Sequence, residues 1–134
     1  MRLVVGTNVF VSAALEENSL SFLVARWIDQ HDARLKSATT EQQLLDVLRR
    51  PHIEPATIPS LREGLARMLA AAELVTSTER IAACRDPADD KFLELGVNGH
   101  TALIVSGDCD LLALNPFRQI PIVTPAAFVQ GVAR

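Results

Sequence analysis

The chain has 134 residues, of which 49% are hydrophobic, 22% charged and only 4% aromatic with no Tyr, and its formal net charge is −3. That length and apolar content predict one folded domain with an aliphatic core and exclude a disordered chain. The acidic balance excludes a protein that grips nucleic acid through its overall field, and few aromatics are left to stack unpaired bases, though a local basic patch is compatible with both.

In chain order, residues 3–5 (LVV) predict a short buried strand stopped by Gly6, and residues 9–15 (VFVSAAL) lead into one helix running to about His31. Residues 34–37 give a second strand. A helix opening at Thr39 or Thr40 runs to Arg50, where Pro51 ends it because the residue before a proline avoids the α region. Its first turn, Thr40-Glu41-Gln42-Gln43, reads as a capping box in which Gln43 reaches back to the cap amide.

Thr57 and Pro59 open the next helix, whose Leu61, Leu65, Met68, Leu69 and Ala72 recur at helical spacing and form one core-facing stripe. Leu74-Val75 reads as a short strand. Asp86-Pro87 caps a helix from about 88 to 97, which Asn98-Gly99 stops. Residues 102–106 (ALIVS), a continuous apolar run, fit the middle of a parallel sheet covered on both faces, and residues 120–123 supply the last strand. Strands alternating with helices predict a three-layer α/β/α fold with a central, mostly parallel sheet of four to five strands in a single domain over residues 1–134.

The N-terminal segment lacks the charged region and long apolar core of a signal peptide, and no run reaches membrane-spanning length. Cys84 and Cys109 have no CxxC spacing and no partner His at zinc-finger distance, so free thiols in a reducing cytoplasm are expected.

In open parallel sheets, ligands bind beyond the carboxyl ends of the strands. Here those segments are Gly6-Thr7-Asn8 and Ser106-Gly107-Asp108-Cys109-Asp110, and the helix beginning near Asp86 adds Asp89 and Asp90. Gathered carboxylates raise one another's pKa, so a cation is the usual reason to tolerate them. Magnesium and manganese prefer oxygen ligands, which makes Asp89, Asp108 and Asp110, with Asp90 nearby, a candidate metal and catalytic set. Taken one at a time, the acids have structural readings: Asp86 as an N-cap, Asp89 in a first helical turn that favours an acid, Asp108 as the cap of a short helix over 109–114.

The segments RLVVGTNVFVSAAL, LLDVLRRPHI, CRDPADDKFLELGV and IVSGDCDLLAL follow one another in the order of the motifs of PIN domains, and the chain resembles in particular their bacterial toxin-like group. The resemblance implies metal-dependent ribonuclease chemistry with one or two Mg2+ or Mn2+ ions, RNA as substrate, homodimers, and often a toxin restrained by a cognate antitoxin protein. It places two of the family's four acids on Asp89 and Asp108, with Asp110 and Asp90 as auxiliaries, and Thr7, Asn8 and Ser106 as supporting polar residues.

Two positions depart from that pattern. Gly6 stands where the family has Asp, and Gln43 where it has Glu. Glycine offers no side-chain oxygen, whereas glutamine keeps a neutral carbonyl. Glu41, two residues earlier, points to a different side of the helix. The expectation is therefore an endoribonuclease of a toxin–antitoxin system impaired by Gly6 and Gln43, or else a catalytically degenerate scaffold used for binding or regulation. Arg49 and Arg50 are candidate RNA contacts, set against a simple solvated helix face.

Overall fold

The computed structural model of the protein describes residues 2–31 and 34–132. Strand β1 (Leu3–Val5) runs parallel to β4 (Leu103–Val105), which runs parallel to β5 (Ile122–Val123), in the order β1-β4-β5. A second parallel pair joins β2 (Leu35–Lys36) to β3 (Glu73–Leu74), and it meets the main sheet through a single bridge between Leu3 and Arg34. The five strands thus form three plus two, because contact between β1 and β2 shrinks to that one bridge.

Alternate side chains of a strand point to opposite faces, so a short run that is apolar throughout must be covered on both. Leu3, Val5 and Val105 pack with α1 (Thr7–Leu15), α2 (Leu20–His31) and α4 (Pro59–Ala71). Val4, Ile104 and Ile122 pack on the other face with Phe92, Leu93 and Leu95 of α5 (Asp90–Asn98). The result is the expected three-layer α/β fold, with β4 carrying the centre of both cores. No helix among the described residues is long and apolar enough to cross a membrane.

The single helix expected from residue 9 to His31 is two. Glu16 turns to extended backbone, Asn18 takes a left-handed φ of 65°, and the Phe22 amide donates to Ser19 Oγ, a cap that restarts the helix. The capping box of α3 (Ala38–Leu48) also lies elsewhere than expected: Ser37 is the N-cap and Thr40 answers it, since the Thr40 amide donates to Ser37 Oγ and the Ser37 amide to Thr40 Oγ1. Gln43 is therefore free of capping. A final helix, α7 (Pro125–Val132), lies outside the expected elements; Thr124 caps it, Pro125 opens it, and Phe128 meets Trp27 edge to face at 5.2 Å.

Helix α5 stops at Asn98 as expected, but the left-handed residue after it is His100, with φ 52°, while Gly99 has an ordinary φ of −92°. Space, not backbone freedom, explains that glycine: a Cβ there would lie 2.8 Å from both Leu35 Cδ1 and the Leu95 carbonyl oxygen. We expect Gly99→Ala to lower unfolding stability by about 2 kcal/mol, as overpacking does; a denaturant midpoint equal to that of the parent chain would contradict this account.

Candidate functional site

β1 and β4 end side by side, and the Gly6 amide extends their ladder by donating to the Val105 carbonyl at 2.8 Å. The chain leaves β1 into α1 and leaves β4 through Ser106 and Gly107 into the short α6 (Cys109–Leu112), so both exits open on the same end of the sheet. Ser106 is buried, and its Oγ accepts from the Asp108 amide at 3.0 Å. Asp108 Oδ1 in turn accepts from the Asp110 amide at 2.8 Å, the capping role expected for it. These two bonds fix the loop and hold both acids on one side of it.

The third acid comes from the other core layer. Asp86 Oδ1 accepts from the Ala88 amide and caps a short 3-10 turn, Pro87–Asp89, which runs straight into α5. At that junction the Asp89 side chain makes no capping bond. It reaches instead toward Asp108 and Asp110, and one carboxylate oxygen from each of the three lies within 4.8 Å of the others, all three residues half-buried. Partial burial first, then the charge of Asp108 and a hydrogen bond to it, push the Asp89 carboxyl up to about 6, with smaller contributions from Asp86 and Asp110. Such crowding of hard oxygen donors suits a divalent cation of the magnesium or manganese type.

Asp90 does not join them. It is buried, its Oδ1 accepting from the Ala83 and Cys84 amides at 3.0 and 2.8 Å. The Cys84 amide chiefly, helped by that of Ala83, holds the Asp90 carboxyl below its ordinary range against the opposing effect of burial. Asp90 thus anchors the loop before the 3-10 turn, and it lies outside the group of three acids although it was expected as their auxiliary. The same surroundings push the Cys84 thiol up to about 12, through burial first and then Asp90, Asp89 and Asp108, which disfavours its thiolate. Both cysteines are free thiols.

The residues around Gly6, which adjoins Ser106, are neutral. Thr7, buried at the start of α1, donates from Oγ1 to Gln43 Oε1 at 2.9 Å, so the residue expected to serve as a cap joins α3 to α1 beside Gly6. Gly6 itself has ordinary extended backbone, φ −65° and ψ 150°, and a Cβ on it would meet Ser106 Oγ at 3.3 Å. Asn8 is exposed. Glu41 pairs with Lys36 at 2.5 Å and brings no charge to the cluster. Arg49 lines a groove between α3 and α4, and Arg50 is exposed at the end of α3. Sequence reasoning missed one cation, Arg85, whose Nε lies 3.5 Å from Asp110 Oδ1 while its side chain stays 88% exposed. Its place next to the Asp86-Pro87 cap was the available signal.

Comparison with known families agrees with this geometry: the family model described as PIN domain matches residues 2–110. No curated protein and no solved structure matches the chain.

Proposed function

The chain belongs to the PIN domain family, and we propose that its acidic cluster is the retained half of a magnesium- or manganese-dependent endoribonuclease site. The observation that carries this reading is the convergence of Asp89, Asp108 and Asp110 at the carboxyl end of β4. Three carboxylates brought this close have no structural use together, since Asp108 alone serves as a cap and the Asp89 side chain serves as none.

In this reading Asp89, Asp108 and Asp110 hold the ion, and Ser106 and the Asp110 amide keep Asp108 aimed. A divalent cation bound there supplies Lewis acidity toward a phosphodiester and positive charge for its oxygens. Arg85, on the rim, neutralises part of the acidic field that a polyanion must approach. Thr7, next in the chain to Gly6, holds the Gln43 side chain in place. With Gly6 and Gln43 contributing no negative charge there, cation affinity is low and turnover slow. The toxin role, a cognate antitoxin and a homodimer belong to the same proposal and come from the resemblance alone, and a cytoplasmic location belongs to it on the strength of the unpaired cysteine spacing in the sequence.

A second reading, a degenerate scaffold that binds without cutting, is favoured by one observation: the Gln43 carbonyl oxygen is already engaged by Thr7. Metal titration separates the two. We expect Mn2+ at tenfold excess over its Kd to raise unfolding stability by about 1.4 kcal/mol, and Asp108→Asn to abolish the gain. If neither Mn2+ nor Mg2+ at millimolar concentration moves the melting temperature or gives heat on mixing, the nuclease reading fails for this chain.

A further inference from the structure

Next to the acids, on the other side of Pro87, lies an open cleft of about 360 Å3 between the start of α3, the loop at residues 80–82 and the first turns of α5. Its lining includes Thr39, Arg80, Pro87, Asp90, Lys91 and Glu94. The formal charges cancel, but their orientation does not. Asp90 spends a carboxylate oxygen on the Ala83 and Cys84 amides, and Glu94 Oε1 accepts from the Ile81 amide at 3.1 Å. Both acids are thereby turned into the wall. Arg80 is exposed and Lys91 half-buried, and among the described residues no ion pair engages either. The outward face of the cleft is thus cationic, with the exposed Thr39 at its edge.

A chain of net charge −3 meets a polyanion only where cations are locally unopposed. Pro87 lines the cleft and also opens the turn that ends at Asp89, so the cleft borders the element that delivers the first acid of the cluster. The geometry points to this cleft as a docking site for the phosphates of single-stranded RNA flanking the acidic cluster, with Arg80 and Lys91 as the contacts. Arg49 and Arg50, at the far end of α3, are not part of it. The inference rests on the nuclease reading for its choice of RNA, but concerns binding alone.

The test is fluorescence anisotropy of a labelled single-stranded RNA in EDTA over a range of salt concentrations. Arg80→Ala and Lys91→Ala together are expected to weaken binding about tenfold or more at low salt and to flatten the dependence of log affinity on log salt by about 0.7 for each cation removed. Lys91→Arg should keep the affinity, and Arg26→Ala, at a residue lining a separate cavity between α2 and α4, should leave it unchanged. The inference is overturned if the parent chain does not bind the RNA, if the double variant binds with the parent's slope, if Arg26→Ala costs as much, or if an acidic peptide displaces the RNA from the parent chain and from the double variant alike. Because no divalent cation is present, the outcome is independent of cutting. A chain that binds through Arg80 and Lys91 and never cleaves retires only the nuclease reading, and one that cleaves regardless of both retires only this inference.

Discussion

Replacing Gly6 by Asp and Gln43 by Glu together should raise Mn2+-dependent cleavage of single-stranded RNA by about a hundredfold or more over the parent chain, the scale at which a positioned acid or base contributes. The backbone permits both changes. Gly6 has φ −65° and ψ 150°, which any residue adopts, and its Cβ would approach Ser106 Oγ at 3.3 Å, a contact a hydroxyl relieves by shifting a few tenths of an ångström. The new carboxylate then starts beside Ser106, whose Oγ holds the Asp108 amide. The Gln43→Glu change is isosteric, so Thr7 Oγ1 can keep its bond while the second terminal atom becomes an anionic oxygen. Each change alone should give less than the pair, since both act through one ion and one phosphodiester. The measurement is single-turnover cleavage with calorimetry of Mn2+ binding alongside. A double variant that binds the ion more tightly than the parent and still leaves RNA intact would refute the proposed mechanism, whereas one that binds no ion would refute the site.

Asp89→Asn should stabilise the metal-free protein at pH 7 by about 1 kcal/mol, a figure reduced for solvent screening of a half-buried group, although it removes a charged residue from the heart of the site. The cause is the Asp89 carboxyl, raised from 3.8 to about 6 by partial burial and by Asp108. A carboxyl that binds its proton more tightly in the folded state than in the unfolded one destabilises the fold at pH above its folded pKa. The penalty then fades as pH falls from about 6 toward 4. Parent stability in EDTA should therefore rise as the solution is acidified from pH 7 to pH 5, and the Asn variant should be nearly flat there. Asp90, held below the ordinary carboxylate range, titrates beneath this window and contributes stability that is lost only at lower pH. Added Mn2+ should close the gap at pH 7, because the ion does for the parent what the proton does in its absence. Urea denaturation at three pH values decides the matter; equal pH slopes for parent and variant would mean that Asp89 is not crowded.

Where two physical requirements coincided, the sequence was legible. The runs LVV and ALIVS had to be covered on both faces because they are apolar at almost every position, and β1 and β4 are. Asp86 and Asp108 were legible because each is a short acceptor side chain just ahead of a helical turn, and both cap one. What failed were choices between near-equivalent neighbours. Asp89 and Asp90 are adjacent acids, and only the change from a 3-10 turn to an α-helix decides that the first faces the site and the second faces the Cys84 amide. Ser37 competes with Thr39 and Thr40 as a cap, and wins through a reciprocal bond that tertiary burial protects. The break at residues 16–19 was hidden because the apolar period resumes after it, although Asn18-Ser19 carried the turn and the cap. Glu41 is held by Lys36, a partner that sequence reasoning could not rank against the acidic cluster.

The backbone of Gly6 has an evolutionary reading. Its dihedral angles do not demand glycine, and of its surroundings only Ser106 Oγ, at 3.3 Å from where a Cβ would sit, would have to give way to a side chain. In the genetic code aspartate codons lie one base from glycine codons, and glutamate codons one base from glutamine codons. The two changes proposed above, Gly6→Asp and Gln43→Glu, are therefore as few as two point mutations away.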